Sequence, residues 1–172
     1  MMRRIGAAAV ALLIVAGAAY AAYPLKVKDA RGKKVTVGAK PMRVVSLAPN
    51  VTEILYAVGL RGRLVGVTKY CDYPAYVRSK PKVGDMTSNL EAVLALKPDL
   101  VVADALVNES AIARLEKLGP PVYSINPKTL AQVAADIRSI GTIVARPKSA
   151  DGVARKLERA VSEVRAERKG KP

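Results

Sequence analysis

The sequence predicts an α/β fold: a single three-layer lobe with a mainly parallel sheet of about four strands, an N-terminal hairpin and a long final helix. Three observations lead there. Short β-branched runs alternate with helix-periodic segments from residue 43 onward, the pattern of parallel strands joined by crossover helices. The 172 residues, 51% of them apolar, suffice for one domain with a real core but not for two full lobes. No repeat and no Pro/Ser-rich linker divides the chain.

Met1 to Ala21 has the form of an export signal: Arg3 and Arg4 open it, Ile5 to Ala18 is apolar, and Ala19-Tyr20-Ala21 is a small-x-small cleavage site. The mature chain is expected to start near Ala22 and to be periplasmic. An uncleaved anchor is the rival reading, because the apolar stretch reaching Tyr23 approaches the roughly 20 residues that span a bilayer. The only cysteine, Cys71, lies too far downstream to carry a lipid at the cleavage point. A lone cysteine forms no internal disulfide, which leaves pairing between chains open.

Residues 22–146 read as the lobe. Leu25 to Val37 alternates around Arg31-Gly32, a hairpin signal. Arg43 to Leu47 is a strand; Val51 to Val58 has helical spacing and stops at Gly59. Asn50 as N-cap with Glu53 three residues later fits a capping box, a bland role that explains the Glu53 carboxylate without a ligand. Leu64 to Val67 is the second sheet strand, Leu90 to Leu96 a short helix before Pro98, and Leu100 to Ala103 the third strand. Glu109 to Leu118 is a helix followed by Gly119, and Val122 to Ile125 the fourth strand.

A helix from Thr129 then places Leu130, Val133, Ala134, Ile137, Ile140, Gly141 and Val144 on one core-facing stripe. Arg146-Pro147 breaks it. In the closing segment, 147–172, a helix from Ser149 to Lys169 aligns Ala150, Val153, Ala154, Leu157, Val161 and Val164.

Composition narrows the function. A formal net charge of +15 attracts anionic partners without specifying them, and the absence of histidine removes the commonest metal ligand and neutral-pH acid–base group. Asp72, Asp85 and Asp104 show no spacing that singles out an acid–base pair, so no enzyme is expected. Cys71 lacks the partners that a metal site requires, so no metal site and no intrinsic cofactor is expected. Cations are dispersed, Trp and Phe are absent, and no phosphate loop or dinucleotide fingerprint occurs, which argues against nucleic acid.

Ligands of parallel α/β sheets sit beyond the carboxyl ends of the strands. The segments there are Ser46 to Glu53, Thr68 to Pro74, Gly84 to Asn89 and Asp104. Tyr70 and Tyr73 offer flat, amphipathic rings, either for a large ligand or for packing the loop onto the core; Tyr70 suits the ligand and Tyr73 the packing. Glu91 falls in the first turn of a helix capped by Ser88 or Asn89, where a carboxylate favours the positive helix end. Asp104, at the sheet edge, is equally readable as a solvated loop carboxylate.

RVVSLAPNVTEILYAVG (Arg43 to Gly59), VGVTKYCDYP (Val65 to Pro74) and KVGDMTSNLEAVLALKPDLVVA (Lys82 to Ala103) resemble successive blocks of the cobalamin, siderophore and haem binding proteins of ABC importers. The resemblance implies two α/β lobes joined by one rigid helix with the ligand between them. The helix from Ser149 is similar to that connector, and the chain stops where a second lobe would follow. It implies a cobalamin or ferric-siderophore ligand against Tyr70, Asp85, Met86 and Asp104, and a permease of the inner membrane contacting Glu91. Cobalamin-binding members add tryptophans near the positions of Met86 and Asp104, which this chain lacks. A single-domain interaction protein, or a non-functional remnant, that self-associates through the last helix is the competing expectation.

Overall fold

The computed structural model describes residues 22–85 and 88–169. The expected export signal therefore lies outside the described residues, as does Met86.

Alternation of lysine with Leu or Val makes an antiparallel hairpin of β1 (Leu25–Lys28) and β2 (Lys34–Val37), its apolar face turned inward. Asp29 fixes its turn. The buried carboxylate accepts from the Arg31 and Lys33 amides, the Arg31 guanidinium and Ser124 Oγ. Burial alone would raise the Asp29 pKa, but these bonds outweigh it and hold the carboxyl below its ordinary range.

Four parallel strands follow: β3 (Val44–Ser46), β4 (Leu64–Gly66), β5 (Leu100–Asp104) and β6 (Val122–Ile125), in spatial order β4-β3-β5-β6. Successive side chains leave opposite faces of the sheet. Val44, Val102, Tyr123 and Ile125 face a core built with α1 (Pro49–Ala57), α4 (Leu130–Ile143), the start of α5 (Pro147–Lys169) and the hairpin. Val45, Val101, Ala103 and Val122 face the other core, with α2 (Leu90–Ala95) and α3 (Glu109–Leu115). The three-layer lobe expected from the alternation is therefore present.

Several boundaries differ from expectation. Helix α1 starts at Pro49, with Ala48 as an extended N-cap and no side-chain cap. Proline needs no N–H at the first helical position and has its φ already set. Asn50 and Glu53 consequently sit inside the first turns, and the expected capping box does not form. The box occurs instead at α4, between Thr129 and Gln132. Helix α3 ends at Leu115, leaving Leu118 52% exposed. Helix α5 begins at Pro147, again with proline in the first turn.

The stripes on α4 and α5 are only partly core. Gly141 packs against Ala150 so closely that an added Cβ would overlap the Ala150 methyl, and Ala150 and Ala154 are fully buried. Leu130 and Val164, at the far end of the same pair, are 52% and 57% exposed. They extend past the sheet that buries their neighbours. Among the described residues no helix is long and apolar enough to cross a membrane.

Candidate functional site

The strand order places a topological switch point between β3 and β5: the chain leaves β3 for β4 on one side, then crosses to β5 on the other. The last direct rung between these strands runs from the Leu47 amide to the Val102 carbonyl at 3.0 Å. Beyond it β3 turns into α1 and the strands part. Asn108, 1% exposed, fills the gap: its Nδ2 donates to the Leu47 carbonyl (3.0 Å) and its Oδ1 accepts from the Asp104 amide (2.9 Å). A side-chain amide thus continues the ladder by one rung.

Asp104 sits just above. Its Oδ1 accepts from the Leu106 and Val107 amides, closing the loop after β5, and its Oδ2 accepts from Asn50 Nδ2 at 3.0 Å. The carboxylate is therefore more than a solvated loop charge; it ties the β5 loop to the start of α1 across the switch point.

A buried polar chain supports the neighbouring loop. Thr52 Oγ1 lies 2.8 Å from Ser46 Oγ and 3.1 Å from Cys71 Sγ, and Thr68 Oγ1 lies 3.1 Å from the same sulfur. Ser46 Oγ donates to the Ala48 carbonyl. All four residues are buried, so Cys71 is a structural pin with no access to another chain. Burial thus closes the pairing between chains that the sequence left open.

The turn that carries Cys71 inward sends its neighbours outward. Tyr70 is 50% exposed and Tyr73 66% exposed. Tyr73 does not plug the loop onto the core; Cys71 and Val77 take that position, and both tyrosine rings face solvent.

Tyr70 and Asp85 are brought together through Lys69. The Lys69 amide donates to the Gly84 carbonyl at 2.8 Å, holding the two loops side by side. Lys69 Nζ lies 3.4 Å from Asp85 Oδ2 and 5.2 Å from the centre of the Tyr70 ring. The Asp85 hydrogen bond, then the charges of Tyr70 and Asp85, raise the Lys69 pKa. Gly84 makes the turn possible: its φ is +94°, and a Cβ there would stand 2.7 Å from the Asn89 amide nitrogen.

Glu91 is exposed in the first turn of α2, whose N-cap is Asn89, accepting from the Ala92 amide. Sequence reasoning missed Asn108, Thr52, Thr68 and Lys69. An Asn directly before a helix signals a cap, but here the side chain reaches across to another strand, a contact 61 residues away in sequence. Among the described residues no three His, Cys, Asp or Glu side chains converge as a metal would require.

The arrangement sets ring, ammonium and carboxylate side by side at the carboxyl edge of the sheet, next to the braced switch point. The sequence profile of the family described as Periplasmic binding protein matches residues 44–171, from β3 through α5. "Uncharacterized ABC transporter substrate-binding lipoprotein YvrC" of Bacillus subtilis (strain 168) is 35% identical over 151 residues, 86% of this chain and 48% of that protein. The crystal structure of the periplasmic vitamin B12 binding protein BtuF of Vibrio cholerae is similar with a TM-score of 0.71 at 34% identity, over 76% of this chain and 52% of that one. The haem binding protein HmuT gives a TM-score of 0.70 at 28% identity, over 84% of this chain and 47% of that one. The chain spans about half the length of the curated relatives it matches. A family profile that covers every strand of the parallel sheet and the helix that follows it places this chain among the periplasmic binding proteins.

Proposed function

We propose that the chain is a solute-binding component of an ABC importer, located in the periplasm, that holds cobalamin, haem or a ferric siderophore on its strand-end loops without making or breaking a bond. The observation that supports this most is the exposed Lys69–Tyr70–Asp85 shelf at the carboxyl edge of a periplasmic binding protein fold. Tyr70 supplies the flat face, Lys69 and Asp85 the polar contacts and Asp104 a further wall; Met86 joins them on the sequence resemblance alone. Relatives named for vitamin B12, haem and staphyloferrin B set the candidate ligands.

Pockets that hold small ligands tightly bury most of their surface. A single shelf leaves one face of a macrocycle wet, so residues 1–172 alone bind at micromolar affinity or weaker. Calorimetric titration with cyanocobalamin, haemin and ferric siderophores tests this; nanomolar binding to this chain contradicts the open-shelf reading. No saturable binding to any of them contradicts the ligand proposal itself.

Glu91, exposed on α2, is the proposed docking charge for arginines of the permease. In a desolvated pair Glu91→Ala costs roughly 2 to 5 kcal/mol of docking energy, at a wet rim under about 1. Permease capture that is unchanged by the substitution removes Glu91 from the interface. A second reading, pairing of two copies through α5, is favoured by the exposed Leu130 and Val164 beside Val161. Light scattering after size exclusion distinguishes it: a dimer supports it and a monomer at all concentrations excludes it.

A further inference from the structure

The hairpin carries a second recognition surface. Register pairs Lys26 with Thr36 and Lys28 with Lys34, all four exposed on its outer face. Like charges directly opposite on paired strands oppose each other. Residues 22–43 hold seven Lys or Arg and one carboxylate, Asp29, which is buried beneath Arg31 and Ser124. Glu116, the nearby acid, is engaged by Arg31 and Lys33. Among the described residues no carboxylate forms an ion pair with Lys26, Lys28 or Lys34.

The face is also rigidly mounted. Val35 and Val37 are buried on its underside, the Ala30 amide donates to the Ser124 carbonyl at 3.0 Å, and Tyr23 Oη donates to the Ile143 carbonyl at 2.7 Å. What results is a flat, preformed cationic plane that accepts a like-charge pair and offers no aromatic group. Single-stranded nucleic acid recognition calls for stacking platforms, which are absent from this face. A plane of lipid phosphates has the matching shape and charge. Lys26 follows the apolar run Ile5 to Ala18 by eight residues, a reach of at most about 29 Å. In a chain that keeps this run in a bilayer, Lys26 lies within that distance of it.

We propose that the outer face of the hairpin, Lys26, Lys28 and Lys34, docks the chain on the surface of an anionic phospholipid bilayer. Basic side chains near an anionic surface each raise partitioning by roughly fivefold. The full chain is mixed with phosphatidylcholine vesicles with or without about one third phosphatidylglycerol. A Lys26→Glu/Lys28→Glu/Lys34→Glu variant is compared with a charge-matched Lys156→Glu/Arg159→Glu/Arg168→Glu control on α5, and circular dichroism checks that both fold.

The hairpin variant is expected to lose more than about tenfold of its phosphatidylglycerol-dependent, salt-sensitive partitioning, and the control less than about threefold. An amine-labelling reagent should modify Lys26, Lys28 and Lys34 more slowly with anionic vesicles, and at the free rate with neutral ones. Equal losses in both variants reduce the effect to net charge and overturn the proposal. So does labelling protection equal in neutral vesicles, or protection by soluble polyphosphate that exceeds that by vesicles.

Discussion

Replacing Asn108 by alanine tests the brace at the switch point. The residue is 1% exposed, and its amide gives the Leu47 carbonyl and the Asp104 amide a hydrogen-bond partner each. Asn108→Ala leaves these two main-chain groups without those partners where β3 and β5 diverge. A buried polar group without a partner costs about 1 to 3 kcal/mol, so for two such groups the loss in unfolding free energy should be about 2 to 6 kcal/mol. Urea denaturation followed by circular dichroism measures it. Asn108→Asp adds a signature of its own: ionised, the carboxylate keeps the acceptor for the Asp104 amide but points an oxygen at the Leu47 carbonyl. Protonated, it can donate there, so this variant alone should gain stability relative to the parent as pH falls through its carboxyl titration. A loss below about 1 kcal/mol for the alanine variant, or no relative gain in acid for the aspartate variant, would refute the ladder-extending role of Asn108.

Four further outcomes follow from the packing and the charges. Gly141→Ala should cost about 1 to 3 kcal/mol, because the new methyl overlaps that of Ala150 between α4 and α5. Gly152→Ala, in the same helical pair but with open space around its Cα, should gain about 0.5 to 1 kcal/mol by thermal or urea unfolding. Burial pushes the Asp136 carboxyl up to about 6 from its ordinary 3.8, so ionising it opposes folding above that value and the penalty vanishes as pH falls towards 3.8. Asp136→Asn should therefore stabilise the chain by about 1 to 2 kcal/mol near neutral pH, a figure reduced for its partial exposure, and by nothing in acid; a constant difference across this range contradicts the assignment. Cys71, 2% exposed, should react with an aromatic disulfide reagent only at the rate of unfolding, and rapid modification of native protein would contradict its role as a buried pin.

The layer architecture was legible because strand and helix periodicities act over short distances. Val44 and Val45, or Val101 and Val102, could be assigned to opposite cores from alternation alone, and the cap of α2 narrowed to Ser88 or Asn89, of which Asn89 holds it. Helix starts were displaced where proline took the first turn, at Pro49 and Pro147, since proline competes with the next polar residue for that role. Tyr70 was readable as an outward ring, but Tyr73, expected to pack the loop onto the core, is exposed as well. That Cys71 and not Tyr73 points inward depends on the turn at Thr68 to Cys71, set by partners on β3 and α1. The partner of Asp104, a residue the sequence did single out, and the whole role of Asn108 were hidden for the same reason: their bonds reach Asn50 and Leu47, more than fifty positions away. Leu130 and Val164 matched the apolar period and yet lie open, because periodicity registers a face and not what covers it.

The account turns on the carboxyl-edge loops being where ligand rests. Backbone amide shifts of the isotopically labelled chain, recorded during titration with cyanocobalamin and with gallium-loaded siderophores, locate contact residue by residue. The expected changes are saturable, centre on Lys69–Tyr70, Gly84–Met86 and Asp104–Val107, and weaken by roughly tenfold in Tyr70→Ala. Saturable changes that instead cluster on the α5 stripe or the hairpin, with these loops unmoved, would place the ligand elsewhere and contradict the account.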